Sequence, residues 1–344
     1  MIIDLRSDTV TQPTQEMRAA MSNALVGDDV YEEDPTIKKL ESMSAKLLGK
    51  ESALFVTSGT QGNLIAVLSQ TKMGDEVILD ENSHLFFNET GALASIASVQ
   101  SRTLKGNNGK MLISDIIESI RGEDIHHPKT SLICLENPHA RAGGRTLSLS
   151  YMKEVFTLSK EQNISVHLDG SRIFNAAIEL EVNPHDIAQY TDTVQFCLSK
   201  GLSAPVGSVL VGPKEIIVRA RKWRKALGGG TRQIGVIGAA GIVALEDMIN
   251  RLVVDHDNAK ELALGLKSIV GDAVSVENTE TNIVMLSARK LGFDAANFIN
   301  LMKLSGILAN AQGKDTVRFV THRHITKKDI KQTISIVKNI INKK

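Results

Sequence analysis

The sequence has few cysteines, a balanced charge and no long apolar run, and each of these absences excludes a class of protein. Its two cysteines, Cys134 and Cys197, both lie within apolar runs. We therefore expect buried core thiols, with neither a disulfide framework nor a metal site. The formal net charge of +1, from 40 basic and 39 acidic residues, gives no electrostatic reason to expect nucleic acid or an anionic membrane as a partner. A small-molecule substrate is expected instead.

Signals for export, membrane insertion and nucleotide binding are also missing. The first residues, MIIDLRSDTV, contain no basic stretch followed by an apolar one. No run approaches the roughly 20 apolar residues that cross a bilayer, so we expect a soluble, cytoplasmic protein. Neither G-x-G-x-x-G nor G-x-x-x-x-G-K-[ST] occurs, which disfavours NAD enzymes and P-loop proteins.

What the chain does contain, from residue 35 to about 212, is an alternation of short β-rich runs with longer segments of helical period. The β-rich runs are SALFV, EVILD, SLICL, ISVHL, TVQFCL and SVLVG. This alternation is typical of βαβ units and a mostly parallel sheet covered by helices. Ligands of such sheets bind at the carboxyl ends of the strands.

The remainder predicts a second, smaller domain, which a chain of 344 residues can accommodate. A basic helix, Glu215 to Leu227, is followed by three glycines and a long helical stretch. From about residue 252 the pattern becomes helix, strand (AVSVE), strand (NIVMLS), helix, strand (VRFV) and helix. We predict an N-terminal segment (1–30), a large domain (31–250) and a small C-terminal α+β domain (251–344).

Two polar residues end successive predicted strands. Asp169 ends the strand in VHLDGSR, and Lys200 follows the apolar run in TVQFCLSKG. Taken separately, Asp169 could be a turn residue or N-cap and Lys200 a solvated surface group. Together they supply what pyridoxal 5′-phosphate (PLP) needs, namely an amine that forms an imine and an anion that keeps the pyridine nitrogen protonated.

A phosphate site is indicated after the strand SALFV, where Ser58, Gly59 and Thr60 open a helix. Backbone N–H groups and the positive end of the helix favour an anion there, although such a turn is also a common helix start.

These segments resemble a known family. HLDGSR followed by SKG is similar to fold-type I PLP enzymes. The motifs LRSDTVT, GDDVYEEDP, TSGTQGN, HLDGSRIFNA, LSKGLSAPVGS, WRKALGGGTRQ and VRFVTH resemble low-specificity L-threonine aldolases over almost the whole chain. The resemblance implies a mostly parallel seven-stranded sheet flanked by helices with a smaller C-terminal α+β domain. It also implies cleavage of L-threonine or L-allo-threonine to glycine and acetaldehyde by a homotetramer whose subunits share active sites.

The resemblance further implies residue roles. His84 would lie on the cofactor ring, and His126, followed by His127, would point at the substrate hydroxyl. The implied catalytic residues are Lys200, His84, His126 and Asp169. The implied cofactor-binding residues are Ser58, Gly59, Thr60, His84, Asp169, Arg172, Lys200, Lys225 and Arg232, the last two acting on a neighbouring subunit. The implied substrate-binding residues are Ser7, His126, Arg172 and Arg318.

Some alternatives stay open. Where relatives read Glu-Asn-Thr-His-Asn, this chain has Glu136-Asn137-Pro138-His139-Ala140, which leaves the preference at Cβ undetermined. The base for the hydroxyl is His126, His84 or a water. Another lyase or transferase on the same scaffold, similar to serine hydroxymethyltransferase or β-eliminating, is the nearest rival. A non-catalytic PLP-binding regulator is weaker, because no DNA-binding appendage is visible.

Overall fold

The structure, a computed structural model, describes residues 2–343. In chain order its strands are β1 (Ile3–Asp4), β2 (Ser52–Val56), β3 (Glu76–Asp80), β4 (Gln100–Leu104), β5 (Thr130–Glu136), β6 (Ser165–Asp169), β7 (Thr193–Cys197), β8 (Ser208–Gly212), β9 (Ile283–Ser287), β10 (Ile307–Leu308), β11 (Asn310–Gln312) and β12 (Thr316–Val320). Its α-helices are α1 (Gln15–Ser22), α2 (Pro35–Leu47), α3 (Gly59–Gln70), α4 (His84–Phe87), α5 (Ala92–Ser95), α6 (Ile113–Ser119), α7 (Leu149–Glu161), α8 (Ile173–Glu179), α9 (Pro184–Ala188), α10 (Lys214–Ala226), α11 (Gly235–Asp247), α12 (Leu252–Val270), α13 (Ala295–Leu304) and α14 (Lys327–Asn342).

The main sheet has seven strands in the order β2-β8-β7-β6-β5-β3-β4. Its central pairs are parallel, and β8 alone runs antiparallel, against both β2 and β7. Most of these strands are buried along their whole length because helices cover both faces of the sheet. The predicted mostly parallel seven-stranded α/β sheet is confirmed, and each of the six β-rich runs contributes a strand.

The seventh strand, β4, has no counterpart among the predicted runs. Its sequence, QSRTL, is polar, and its residues are exposed or half-buried. The reason is its position: β4 is an edge strand paired only with β3, so it does not need the apolar side chains of a central strand.

The C-terminal part contains a three-stranded antiparallel sheet, in the order β11-β12-β9, packed with α12, α13 and α14. The predicted strands NIVMLS and VRFV are confirmed, but the predicted strand AVSVE is wrong. Only Val274 makes an isolated bridge, to Leu286. The chain turns away after it because the hydroxyl of Ser275 accepts a hydrogen bond from the N–H of Asn278.

The apolar core is concentrated in two large clusters. One cluster draws its buried residues from Met17 to Leu252 and covers one face of the main sheet, while two smaller clusters cover the other face. The other large cluster combines Ile3 and Leu5 with residues from Ala259 to Val337. The start of the chain is therefore held against the C-terminal part, where β1 pairs in parallel with β10.

Both cysteines are buried and unpaired, as predicted. Across residues 2–343, none of the helices combines the length and apolar composition that spanning a membrane requires.

Candidate active site

Three polar residues stand at the carboxyl edge of neighbouring strands. Glu136 and Asp169 end β5 and β6, and Lys200 follows β7 by three residues. Because these strands are parallel, their carboxyl ends meet at one edge of the sheet. The amine of Lys200 takes part in no hydrogen bond or ion pair with residues 2–343. A free amine is therefore presented at the edge where such sheets bind ligands.

Lys200 lines a cavity of about 390 Å³, a volume that suits a small-molecule site. The start of the chain, α4, the loop after β5 and the small C-terminal sheet form its walls. Its lining residues are Ser7, Thr9, His84, Asn88, Ala140, Arg141, Arg172, Lys200, Asn310, Ala311, Gln312 and Arg318. The cavity thus contains Lys200, His84 and three of the four residues predicted to bind the substrate, namely Ser7, Arg172 and Arg318.

The Asp169 carboxylate is held by two hydrogen bonds. Its Oδ1 accepts from the N–H of Ser171 at 3.0 Å, and its Oδ2 accepts from Nδ2 of Asn63, also at 3.0 Å. The same Asn63 amide donates to Oε1 of Glu89 at 2.8 Å, and that oxygen lies 2.8 Å from Nδ1 of His84. Ligand atoms of Asp169, Glu89 and His84 all fall within 4.8 Å of one another. The structure therefore brings His84 and Asp169 together through Glu89.

This cluster retains a proton. Burial disfavours the charged ring of His84, but the hydrogen bond to Glu89 and the negative charges of Asp169 and Glu89 outweigh it and raise the pKa of His84. Burial, aided by the charge of Asp169, also raises the pKa of Glu89. Both shifts favour the protonated forms, so the pair can take part in proton transfer.

A buried histidine fixes the orientation of the Asn63 amide. His167 faces Oδ1 of Asn63 through Nε2 at 3.1 Å and the hydroxyl of Thr193 through Nδ1 at 2.8 Å. Burial lowers the pKa of His167 to about 4, so the ring is neutral and donates from one nitrogen only. When Nε2–H donates to Oδ1, the amide nitrogen of Asn63 faces the two carboxylates.

Arg172 is locked by a buried partner. Its Nε and Nη2 donate to the two carboxylate oxygens of Asp8, each at 2.7 Å, and Asn282 donates to the same carboxylate. Burial opposes the charge on Asp8, but the guanidinium of Arg172 holds the pKa of that carboxyl below its usual range. Arg172 is thus held as a fixed cation on the cavity wall.

Arg318 reaches the same cavity from β12. One amino group donates weakly to the carbonyl of Arg6 at 3.4 Å, and the buried Nε has no hydrogen-bond partner among the described residues. Burial, together with the charge of Arg172, lowers the pKa of Arg318. An anion in the cavity would offset the repulsion between Arg318 and Arg172 and would accept a hydrogen bond from Nε of Arg318.

The first turn of α3 has free backbone donors. The hydroxyl of Ser58 caps the helix by accepting from the N–H of Gln61 at 3.1 Å, whereas the N–H groups of Gly59 and Thr60 make no hydrogen bond within residues 2–343. A Cβ at Gly59 would lie 3.0 Å from Sγ of Cys197, so glycine lets the turn pack on β7. The turn can accept an anion such as a phosphate.

Lys225 and Arg232 do not line this cavity. Lys225 is exposed near the end of α10, and Arg232 forms an ion pair with Asp28 at 3.0 Å. Between them, Gly229 approaches the side chain of Gln61 so closely that a Cβ would lie 2.7 Å from it. The glycine loop therefore lies against the first turn of α3 of its own chain.

His126 lies outside the cavity of its own chain. Its side chain is 79% exposed, and its Nδ1 contacts Asp124 at 2.6 Å. The residue precedes β5 and so belongs to the amino edge of the sheet, opposite the edge of Lys200. A larger cavity of about 850 Å³ opens beside this segment, but it contains none of Lys200, Asp169 and Arg172.

The segment from Glu136 to Ala140, which departs from the motif of the relatives, supports the cavity. The carboxylate of Glu136 accepts from the N–H of His84 at 2.7 Å and from the N–H of Ala140 at 2.8 Å. The side chain of Asn137 instead bonds to the backbone of Leu147, away from the cavity. The small side chain of Ala140 and the guanidinium of Arg141 form this part of the wall.

Comparison with known proteins identifies the family of the chain. The sequence model of the beta-eliminating lyase family matches residues 4–289. The chain belongs to that family. It is 45% identical over 338 residues to low-specificity L-threonine aldolase 1 of Arabidopsis thaliana, covering 97% of this chain and 94% of the relative. It is 42% identical over 330 residues to the low specificity L-threonine aldolase of Escherichia coli K12, covering 96% of each.

A solved structure extends the likeness of this chain to its three-dimensional fold. The threonine aldolase of Leishmania major superposes with a TM-score of 0.83, covering 98% of this chain and 99% of that one, at 18% identity. The fold is therefore retained at low sequence identity.

The sequence did not indicate four residues that line or support the cavity, namely Asp8, Asn63, Glu89 and Arg141. Asp8 and Asn63 lie within the quoted motifs LRSDTVT and TSGTQGN, so those motifs were the available signal. Glu89 and Arg141 lie outside every quoted motif, and no pattern in the sequence indicates their contacts.

Proposed function

We propose that the protein is a PLP-dependent L-threonine aldolase that cleaves L-threonine and L-allo-threonine to glycine and acetaldehyde. Related β-hydroxy-α-amino acids would be cleaved in the same way. The observation that carries the proposal is the free amine of Lys200 on the wall of the cavity that also contains His84, Arg172 and Arg318.

The residues present fit the cofactor. Lys200 would hold it covalently, Asp169 would bind its pyridine nitrogen, and the free N–H groups of Gly59 and Thr60, with Ser58, would bind its phosphate. The carboxylate of Asp169 is buried beside His84, as a partner for a cationic ring nitrogen requires. When bound, PLP supplies the electron-withdrawing group that accepts the electron pair left on Cα.

The substrate would be held by its carboxylate. Ser7, Arg172 and Arg318 all reach the cavity, and Arg172 is already oriented by Asp8. The reaction breaks Cα–Cβ, turns the hydroxyl into a carbonyl with loss of its proton, and adds a proton at Cα. His84 is positioned to take the hydroxyl proton because one ring nitrogen is held by Glu89 while the ring lines the cavity.

Contacts from a neighbouring subunit would complete the site. Lys225 is exposed and without an ion pair among residues 2–343, and Arg232 is half-exposed beside Asp28, so both are accessible to a second copy. His126 could meet the hydroxyl only from such a copy, given its place at the far edge of its own sheet. We propose a tetramer of paired dimers, which light scattering of the holoenzyme would test.

The decisive experiment is an assay of both products. Purified protein with PLP should release acetaldehyde and glycine in equal amounts from each threonine diastereomer. Lys200→Ala should abolish both this activity and the borohydride-sensitive yellow absorbance of the holoenzyme. Product formation by Lys200→Ala at the wild-type rate would refute the assignment.

Companion assays with the same purified protein separate the rival functions. Release of ammonia and a keto acid would indicate β-elimination, and folate-dependent glycine formation from serine would indicate a hydroxymethyltransferase. Cofactor binding with no turnover of any amino acid would indicate a non-catalytic protein.

A further inference from the structure

Arg141, on the wall of the active-site cavity, has no anionic partner among residues 2–343. The guanidinium of Arg141 makes no ion pair with residues 2–343, and its buried Nε has no hydrogen-bond acceptor. Of the two other arginines on this wall, Arg172 is neutralised by Asp8, and Arg318, whose Nε also lacks an acceptor, is the proposed partner of the α-carboxylate. A buried unmet donor on a cation indicates a missing anion.

The contacts of Arg141 hold it in place without neutralising it. Its guanidinium stacks on the ring of Phe87 at 3.7 Å, and its backbone carbonyl accepts a hydrogen bond from Gln312. A cation over an aromatic face keeps its charge and its N–H donors. Arg141 is therefore held as a recognition group, with its charge available to the cavity.

The position of Arg141 indicates which part of the substrate it faces. Phe87 lies one helical turn after His84 in α4, so Arg141 stands on the side of the cavity where His84 would take the hydroxyl proton. Arg318 is held instead by the carbonyl of Arg6, at the start of the chain. The α-carboxylate of the substrate would thus contact Arg318, whereas the substituent at Cβ would face Arg141.

We propose that Arg141 binds an anionic group on Cβ, so that the enzyme cleaves β-hydroxy-α-amino acids carrying a carboxylate at Cβ, of which 3-hydroxyaspartate is the simplest. This inference rests on the proposed aldolase function and extends it to a substrate class. Cleavage of 3-hydroxyaspartate breaks Cα–Cβ, moves the hydroxyl proton to the base and adds a proton at Cα. The products are glycine and glyoxylate, without net oxidation or reduction.

Substitution at Arg141 tests the proposal in the holoenzyme. Initial rates with L-threonine, both L-diastereomers of 3-hydroxyaspartate and neutral phenylserine would be compared for wild type, Arg141→Gln and Arg141→Lys. Arg141→Gln should lower kcat/KM for 3-hydroxyaspartate about ten- to a hundredfold, as expected when a charge-assisted hydrogen bond is lost, and change threonine less than about threefold. Arg141→Lys should be intermediate because lysine keeps the charge but not the planar fork.

A control and a second readout separate recognition from general electrostatics. Lys153→Gln removes an exposed positive charge on α7, outside the cavity, and should leave the ratio of the two kcat/KM values unchanged. Succinate should inhibit threonine cleavage by the wild type more strongly than acetate does, and Arg141→Gln should abolish that difference.

The outcomes are distinguishable. If Arg141→Gln lowered kcat/KM equally for threonine and 3-hydroxyaspartate, Arg141 would be placed at the α-carboxylate and the proposal would be overturned. Wild-type enzyme that cleaves threonine but not 3-hydroxyaspartate would also overturn it. Wild-type enzyme that cleaves neither substrate would overturn the proposed aldolase function itself.

Discussion

Nδ1 of His84 lies 2.8 Å from Oε1 of Glu89, a carboxylate oxygen that also accepts a hydrogen bond from Asn63. This contact favours the tautomer with the proton on Nδ1, which leaves Nε2 unprotonated as a base. Glu89 is therefore a positioning residue, and its effect should be visible in the pH dependence of the reaction.

Glu89→Gln should shift the acidic limb of the rate profile. Because His84 must be unprotonated to act as a base, kcat/KM should fall as the pH drops through its raised pKa. Removing the negative charge of Glu89 lowers that pKa, so the midpoint should move to lower pH, with a lower plateau. Initial rates of threonine cleavage between pH 5.5 and 9 measure this shift. Glu118→Gln, on an exposed face of α6, is the control, and an unmoved midpoint in Glu89→Gln would contradict the role.

Phenylalanine substitutions at the two candidate histidines should have unequal effects. His84→Phe keeps a ring on the cavity wall but removes the base, so kcat should fall roughly a hundredfold or more while PLP still binds. His126→Phe should lower kcat less than about tenfold, since the side chain of His126 lies at the opposite edge of the sheet of its own chain. Single-turnover kinetics with threonine would compare them. The reverse ranking would assign the hydroxyl proton to a histidine of the neighbouring subunit.

Asp8→Asn should destabilise the protein and weaken substrate binding together. It leaves Arg172 as a buried cation without its counter-ion, a change that costs about 3–5 kcal/mol for a buried pair. Thermal unfolding would report the loss, and KM for threonine should rise because Arg172 is no longer oriented. Asp315→Asn breaks an exposed ion pair with Arg289 and should cost at most about 1 kcal/mol. Equal effects of the two substitutions would contradict the role of Asp8.

Gly62→Ala should weaken cofactor binding by displacing α3. An added Cβ would lie 2.6 Å from Cγ of Gln195, a buried side chain of β7, so the helix or the strand must shift. Overpacking of this kind costs about 1–3 kcal/mol, and the dissociation constant of PLP, measured by titrating apoenzyme, should rise roughly tenfold. Gly122→Ala meets no atom within 4 Å and serves as the matched control. Unchanged PLP affinity in Gly62→Ala would show that the start of α3 does not hold the phosphate.

The fold was largely predictable because the central strands are apolar along their length. Residues such as Ile133 and Val209 are buried between layers of helices, so their runs stand out in the sequence. The edge strand β4 has half-exposed residues and did not stand out, and the run AVSVE was wrongly predicted as a strand because its turn depends on a hydroxyl contact of Ser275.

From the residues alone, the site was predictable where a polar residue ends a strand, and Ser7 and Arg318 could be named only from the resemblance. Asp169 and Lys200 could be placed at one edge because parallel strands bring their carboxyl ends together. The role of Glu89 could not be inferred in the same way, since nothing in the nearby sequence indicates that it faces His84 and shares Asn63 with Asp169.

The sequence by itself determined the apolar periodicity, and with it the order of strands and helices and the polar residues that end the strands, because these depend on neighbours in the chain. Only the tertiary structure decided which side chains from distant parts of the chain come into contact. Asp8 and Arg172 are 164 positions apart in the chain. Arg141 is held in position by the ring of Phe87 and by a hydrogen bond from Gln312. Such pairings depend on how distant elements pack, a property that no local pattern of residues contains.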